Sequence, residues 1–287
     1  MKNGVPKLLA LFEKHSIHAS FFSPMGKDHT GRTVKRVFTR KGFIKKAGRV
    51  GVLSTYGIKT LMYGIVLPGP EIAKKNTHLL RKIIEEGHEL GIHGYDHVYW
   101  HDHIKNLSMD RTVEILHRSV EVYKKTVGNS PKSFAAPGWM INQHALKFFE
   151  DNGFAYTSNA RGKSPFYPSM GGKTFHILEL PSTLPTLDEV VGIAGTDISS
   201  LSEFFFRALN ENLNIITVHT ELEGKHWTGF FDVFLRKSLE AGFTFKRLIE
   251  IAGECKDMQG VKACGMQYGY VEGRAGEVCV QKIAQSV

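Results

Sequence analysis

At 287 residues and 42% hydrophobic content, the chain is long enough to bury a sizeable core, as one large α/β domain or two smaller ones. No run of about 18 apolar residues occurs, which argues against a membrane-spanning helix, and the N-terminus lacks the apolar stretch of a secretory signal. Lys and Arg number 37 against 28 Asp and Glu, a net charge of +9.

In chain order, Val5 to His15 reads as an amphipathic helix with Leu8, Leu9, Leu11 and Phe12 on one side, followed by a strand over Ile17 to Phe22. The charge excess comes next. Residues 29–70 hold nine Lys/Arg (Arg32, Lys35, Arg36, Arg40, Lys41, Lys45, Lys46, Arg49 and Lys59) and no acid, and the remainder of the chain is balanced at 28 against 28. Such a single-sign block seeks an anionic partner. Within it Val34, Val37 and Phe38, then Ile58, Leu61, Met62 and Ile65, recur at helical spacing. The reading is either a helix with a solvated basic side or an interfacial anchor on anionic lipid. No helix-turn-helix, RNP-like or zinc-finger pattern accompanies the charge, so nucleic acid is not the expected partner.

Beyond the block, helices are expected at about 70–86, 109–127, 141–151 and 199–211, and strands at about 88–93, 132–136, 154–158, 176–181 and 213–219. Short apolar strands alternating with helices imply a parallel sheet, and so many units favour a barrel. No repeat, low-complexity tract or Pro/Ser-rich linker interrupts residues 1–287, so one domain is expected, with a basic amphipathic insertion at about 29–70 and a glycine-rich tail at about 254–287. Cys255, Cys264 and Cys279 fit neither a disulfide framework nor a zinc motif and read as free thiols of a reducing cytosol.

In a parallel barrel the strand C-terminal ends carry the site. Here those ends hold Ser23-Pro24, His93 with His97, Pro137-Gly138-Trp139, Ser158 to Gly162, Pro181-Ser182-Thr183 and His219-Thr220-Glu221. Two imidazoles four residues apart can converge on one cation. With 14 histidines in the chain that spacing is unspecific alone, since two satisfied core or surface histidines would look the same. A third histidine at the same end of the barrel makes the set more informative.

These residues and their flanks resemble the polysaccharide deacetylase family of metal-dependent carbohydrate N-deacylases. The carriers are Gly4-Val5-Pro6, Gly91-Ile92-His93-Gly94-Tyr95-Asp96-His97, Ala135-Ala136-Pro137-Gly138-Trp139, Ser158 to Gly162, Leu184 to Val190 and His219 to Gly224. The runs from Leu184 and from His219 favour the branch that deformylates undecaprenyl-phosphate-linked 4-formamido-arabinose, a step toward lipid A modification and cationic-peptide resistance. The resemblance implies an α/β fold, a distorted (β/α) barrel. It implies a divalent metal, zinc for preference, on His93 and His97, with His219 as the general acid for the departing amine. It further implies that Trp139, Asn159, Arg161 and Glu221 contact substrate. The basic residues Arg32, Lys35, Arg36, Arg40, Lys41, Lys45, Lys46 and Arg49 would meet lipid phosphate at the cytoplasmic face of a bacterial inner membrane.

Three departures bear on these expectations. The family places an Asp pair, general base and metal ligand, on a strand ahead of the Gly-Val-Pro helix, whereas Met1-Lys2-Asn3-Gly4 opens on that helix, so the first strand and its pair are expected to be missing. Two imidazoles without a carboxylate make an incomplete facial site. The branch has Asp where Asn159 stands, and many family members have Arg at Ala135 or Ala136. Asp28 is a candidate substitute acid, with a cap or loop role as the plainer reading. Asp96 reads as a solvated loop carboxylate that could orient a ligand. Two rival functions follow: deacetylation of N-acetyl sugars in cell-wall or capsule glycans, and a catalytically inactive lipid-sugar-binding protein that lacks the base.

Overall fold

The computed structural model describes residues 1–35, 58–257 and 260–282. Its first helix, α1 (Gly4–Lys14), buries Val5, Leu8, Leu9, Leu11 and Phe12, the stripe read from the sequence. Ser16 then turns the chain at φ 55°, and the N–H of Ile17 bonds back to the Phe12 carbonyl. Strand β1 (Ser20–Ser23) therefore starts three residues later than apolar patterning suggests. A 3-10 turn (Thr30–Lys35) and α2 (Ile58–Met62) are the described parts of the basic segment. The helical face of Val37 and Phe38, with Arg36, Arg40, Lys41, Lys45, Lys46 and Arg49, lies outside the described residues.

The helix expected at about 70–86 is two helices, α3 (Ile72–Lys75) and α4 (Thr77–Glu85). Asn76 parts them by leaving helical geometry and bonding its side-chain amide to the Ile72 carbonyl, the competition short amides offer a helix backbone. After β2 (Glu89–Ile92) come α5 (His97–His103) and the long α6 (Met109–Val127). The bounds of α6 match the sequence reading because both ends carry strong local signals. Ser108 caps the Arg111 N–H, and Gly128 takes the left-handed conformation that ends the helix.

Strand β3 (Ser133–Ala135) leads through a 3-10 turn (Pro137–Trp139) to α7 (Gln143–Asp151), and β4 (Tyr156–Ser158) follows. Strands β5 (Tyr167–Met170) and β6 (Lys173–Thr174), not anticipated from the sequence, precede β7 (Leu178–Glu179). Then come α8 (Leu187–Val190), α9 (Ile198–Arg207), α10 (Thr228–Glu240) and α11 (Leu248–Asp257). Strands β8 (Ala263–Gly269) and β9 (Val278–Gln281) make an antiparallel hairpin from the glycine-rich tail.

The main sheet is parallel throughout, in the order β1-β2-β3-β4-β7; β6-β5-β8-β9 form a second sheet. The fold is α/β, a distorted barrel whose main-sheet strands all end on one side. Phe134 and Phe149 lie 4.5 Å apart at its centre beside Trp100 and Phe154, each fully buried ring contributing roughly 2–3 kcal/mol. A second cluster, with Leu8, Phe12, Phe205, Phe230 and Phe234, fixes α1, α9 and α10. The opposite end is tied by Glu89, which accepts from Ser20, Ser133, Tyr156 and the Ile249 N–H.

The strand expected at 213–219 does not form. Ile215 bonds across to the neighbouring segment, accepting from Thr183 and Leu184, while its own N–H is taken by the Thr183 hydroxyl at 2.8 Å. On the other side this segment faces β1 across a cleft of about 1220 Å³. Glu89 and His93 donate to the carbonyls of Ala19 and Ser23, so the alternate backbone groups, those of Ser20 and Phe22, turn away from β2 toward the cleft. Among the described residues no strand lies between these two edges, and without a partner there a regular ladder has nothing to pair with.

Candidate functional site

The mouth of the cleft is where the parallel strands end. His93 follows β2 directly, and its Nδ1 lies 2.7 Å from the Ala135 carbonyl. A carbonyl can only accept, so Nδ1 carries the hydrogen and Nε2 keeps its lone pair. Burial above all, with a smaller contribution from His219, pushes the imidazole down to about 4 against the opposing Ala135 hydrogen bond, so His93 is neutral near pH 7. The His93 and His97 ring centroids are 5.1 Å apart. His97 stands at the first turn of α5, held there by Asp96, whose Oδ1 accepts from the N–H groups of Val98 and Tyr99 while Oδ2 meets His29 Nδ1 at 2.5 Å. Asp96 is thus a helix cap and not a solvated loop carboxylate. Asp28 likewise accepts from the Thr30 N–H and hydroxyl, the loop role.

His219 faces this pair from the other side of the cleft. Its backbone N–H donates to Glu223 at 2.7 Å, and its ring Nδ1 is buried without a hydrogen-bond partner. Glu223 is fully buried, and desolvation raises its carboxyl to about 7. Glu221 also lines the cleft and receives the Thr220 hydroxyl at 3.1 Å.

Trp139 lines the cleft between these two sides. Its backbone is left-handed at φ 53°, after Gly138 at φ 62°, a conformation a bulky residue adopts only when its surroundings impose it. The indole N–H donates to Ser182 Oγ at 3.0 Å, and Ser182 meets the Thr217 hydroxyl at 2.7 Å. Gly138 is required here: a Cβ at that position would stand 2.6 Å from the His101 ring.

Asn159 and Arg161 are placed differently from the sequence reading, since neither lines the cleft. Asn159 is fully buried and donates its side-chain amide to Glu179 at 3.2 Å. Glu179 also collects the Asn159 and Ala160 N–H groups and the Thr157 hydroxyl; desolvation lifts its carboxyl to about 7 against these four donors. Arg161 Nη1 donates to both Glu189 oxygens at 2.8 and 2.9 Å, and Nη2 to the Leu184 carbonyl at 2.8 Å. Both side chains are spent on buried carboxylates because an uncompensated charge there would be costly. Arg32 is exposed and donates to the Gly64 carbonyl at 3.1 Å; of Lys35 only the backbone is described.

The residues present fit a divalent cation in part. Two imidazoles, one of them neutral near pH 7 with its far nitrogen anchored on a carbonyl, are the start of such a site. Yet no group of three or more His, Cys, Asp or Glu is placed to hold a metal among the described residues.

Sequence reasoning missed Glu179, Glu189, His101 and Arg274. A signal existed for two of them. His101 continues the four-residue spacing of His93 and His97. Glu189 follows Thr186 by three, a capping-box spacing, and its Oε2 does receive the Thr186 N–H at 3.0 Å.

Comparison with known proteins agrees with the family resemblance. The polysaccharide deacetylase model matches residues 1–157. The chain is similar to the probable 4-deoxy-4-formamido-L-arabinose-phosphoundecaprenol deformylase of Shewanella sediminis, at 33% identity over 86% of this chain and 80% of that protein. Its counterpart in Wigglesworthia glossinidia brevipalpis is 29% identical over 98% of both chains. Among solved structures, the PuuE allantoinase shares the fold with a TM-score of 0.60 at 16% identity, covering 90% of this chain and 73% of that one. From its matched family model and the reach of these relatives, the chain belongs to the polysaccharide deacetylase family.

Proposed function

We propose that the chain is a carbohydrate amide hydrolase that removes the formyl group from undecaprenyl-phosphate-linked 4-formamido-arabinose, in the route to lipid A modification. The observation that carries this reading is the convergence of His93, His97 and His219 on one cleft mouth, in a chain a third identical to a deformylase of that substrate. The reading treats the chain as one catalytic domain; Arg161 supports this, since its backbone bridges both Ser182 and Val280 and so joins the two sheets.

In this proposal His93 and His97 hold a divalent ion, zinc for preference. When bound, such an ion supplies a polarised amide oxygen and an acidified water. The protein's own contribution is to keep His93 neutral and oriented through Ala135, so that no proton competes for Nε2 near pH 7. His219 donates a proton to the amine nitrogen as the C–N bond breaks, because an unprotonated amine is a poor leaving group. Trp139 and Glu221 line the sugar's side of the cleft, and Asn159 and Arg161 act from behind that wall.

A lipid-linked substrate gives the protein a reason to sit on an anionic membrane. Ile65 and Val66, 57% and 70% exposed, cap the turn that Arg32 braces beside the cleft, within the basic segment. Among the described residues no helix is long and apolar enough to cross a membrane. The proposed location is peripheral, on the cytoplasmic face of the inner membrane.

Incubation with formamido and acetamido lipid-linked sugars tests the substrate. Release of formate and not acetate is expected, and turnover of the acetyl compound alone would overturn the choice in favour of a deacetylase. The absence of a third metal donor among the described residues favours one further reading, a binding protein without activity. That reading requires no hydrolysis at saturating zinc together with retained affinity for the lipid-linked sugar.

A further inference from the structure

The glycine-rich tail had no assigned role, yet the turn between β8 and β9 reaches the cleft. Gly273, at φ 79°, lies so close to α8 that a Cβ there would stand 2.3 Å from the Glu189 carbonyl oxygen. The next residue, Arg274, lines the cleft beside Trp139. Its Nη1 donates to Glu189 Oε1 at 3.1 Å, and its guanidinium carbon lies 4.5 Å from the centre of the Trp139 ring. The Arg274 side chain is nine-tenths buried, and its Nε has no hydrogen-bond partner.

Trp139 needs such support. A left-handed backbone gives its side chain no helical or strand neighbours to set the ring, so the indole is held by tertiary contacts alone. Those contacts include Ser182 on its N–H and two guanidinium groups on the ring, Arg161 at 5.0 Å and Arg274 at 4.5 Å. Glu189 gathers both cations, so removal of Arg274 leaves the buried Arg161–Glu189 pair intact. Arg161 stands behind the wall, whereas Arg274 stands on it.

We propose that Arg274 is a positioning residue of the sugar pocket: tied to Glu189 and laid on the Trp139 ring, it holds the indole as the wall against which the substrate's sugar is placed. The tail hairpin is thereby part of the site. This inference rests on the deformylase reading for its kinetic arm but not for its spectroscopic one.

The test uses the full chain with Arg274→Ala, Arg274→Lys, Trp139→Phe and the double variant Arg274→Ala/Trp139→Phe. Acrylamide quenching of tryptophan emission is read in each, the Trp139→Phe chain identifying the share from Trp139. In Arg274→Ala, Trp139 is expected to become accessible to quencher. With the formamido lipid-sugar, KM is expected to rise about tenfold while kcat changes by less than about threefold. In the Trp139→Phe background the same substitution should shift KM by less than about twofold, because Arg274 acts through the ring. Arg274→Lys keeps the charge but not the planar stack, so it should keep the wild-type Tm and share the raised KM. Unchanged quenching in Arg274→Ala, full additivity in the double variant, or a normal KM in Arg274→Lys would each overturn the proposal. If wild-type protein turns over neither sugar, the functional reading falls, and the quenching result alone decides the role of Arg274.

Discussion

The two walls of the cleft are built in different ways. The wall carrying His93 and His97 is regular: β1 and β2 pair over four consecutive residues, His93 is anchored on Ala135, and Asp96 caps the helix that presents His97. The wall carrying His219 is irregular. Residues 213–218 form no ladder, Ile215 alone ties them to Thr183 and Leu184, and His219 keeps a buried ring nitrogen without a partner. One wall is held by regular strand pairing and a helix cap, and the other by separate contacts of Ile215 and Thr217. That division suits the proposed chemistry, since cation donors need preset geometry while a general acid can close on a leaving group once substrate is seated.

The largest effect should come from the fixed wall. His93→Ala or His97→Ala is expected to lower kcat/KM by about 10⁴-fold and to abolish zinc binding measured by calorimetry, since half the donor set disappears. A variant that binds zinc like the wild type would remove these residues from the metal site. On the irregular wall, His219→Ala should cost about 10²–10³-fold in kcat while zinc affinity stays within about twofold of normal. Equal loss of metal and activity in both variants would erase the distinction between the walls.

Beside the second wall, β7 offers a pH test. Desolvation raises Glu179 from 4.5 to about 7, so the folded chain holds a proton that the unfolded chain releases between those values. Stability from this group is therefore greatest below pH 4.5 and declines as pH rises toward about 7, by roughly 3 kcal/mol in all. His93, lowered to about 4, works in the opposite direction over the same window, so the readout is the difference between variant and wild type. Glu223, also raised to about 7, adds a decline of the same sign, so denaturant titrations of Glu179→Gln across pH 4.5–7 should lack only the Glu179 share of it, and parallel curves for the two proteins would refute the assignment. The smallest effect is expected from Thr183→Val, which leaves the Ile215 N–H unpaired: a loss of about 1–2 kcal/mol, with faster amide exchange across 213–218 and none across 89–92.

Local signals made much of this molecule legible. The apolar stripe of α1, the Ser108 and Gly128 bounds of α6 and the alternation of short strands with helices are all properties of neighbouring residues. The three histidines of the cleft, and the family they point to, could likewise be read without coordinates. Other features depend on groups far apart in the chain. Strand β8 was hidden in a glycine-rich tail because one of its pairing partners, β5, lies about a hundred residues upstream, and β9 joins the sheet only through β8. Arg161 looked like a substrate contact until its carboxylate partner Glu189, 28 residues away, was in place.

The amino-acid order by itself determined the fold class, the family and the residues of the cleft mouth, because periodicity, caps and short motifs act within a few residues. Tertiary structure alone decided which polar groups face the cleft and which neutralise one another behind it. It also decided that 213–218 forms no ladder and that Arg274 reaches Trp139. Each of those outcomes depends on which distant group is near enough to share a hydrogen bond or a charge.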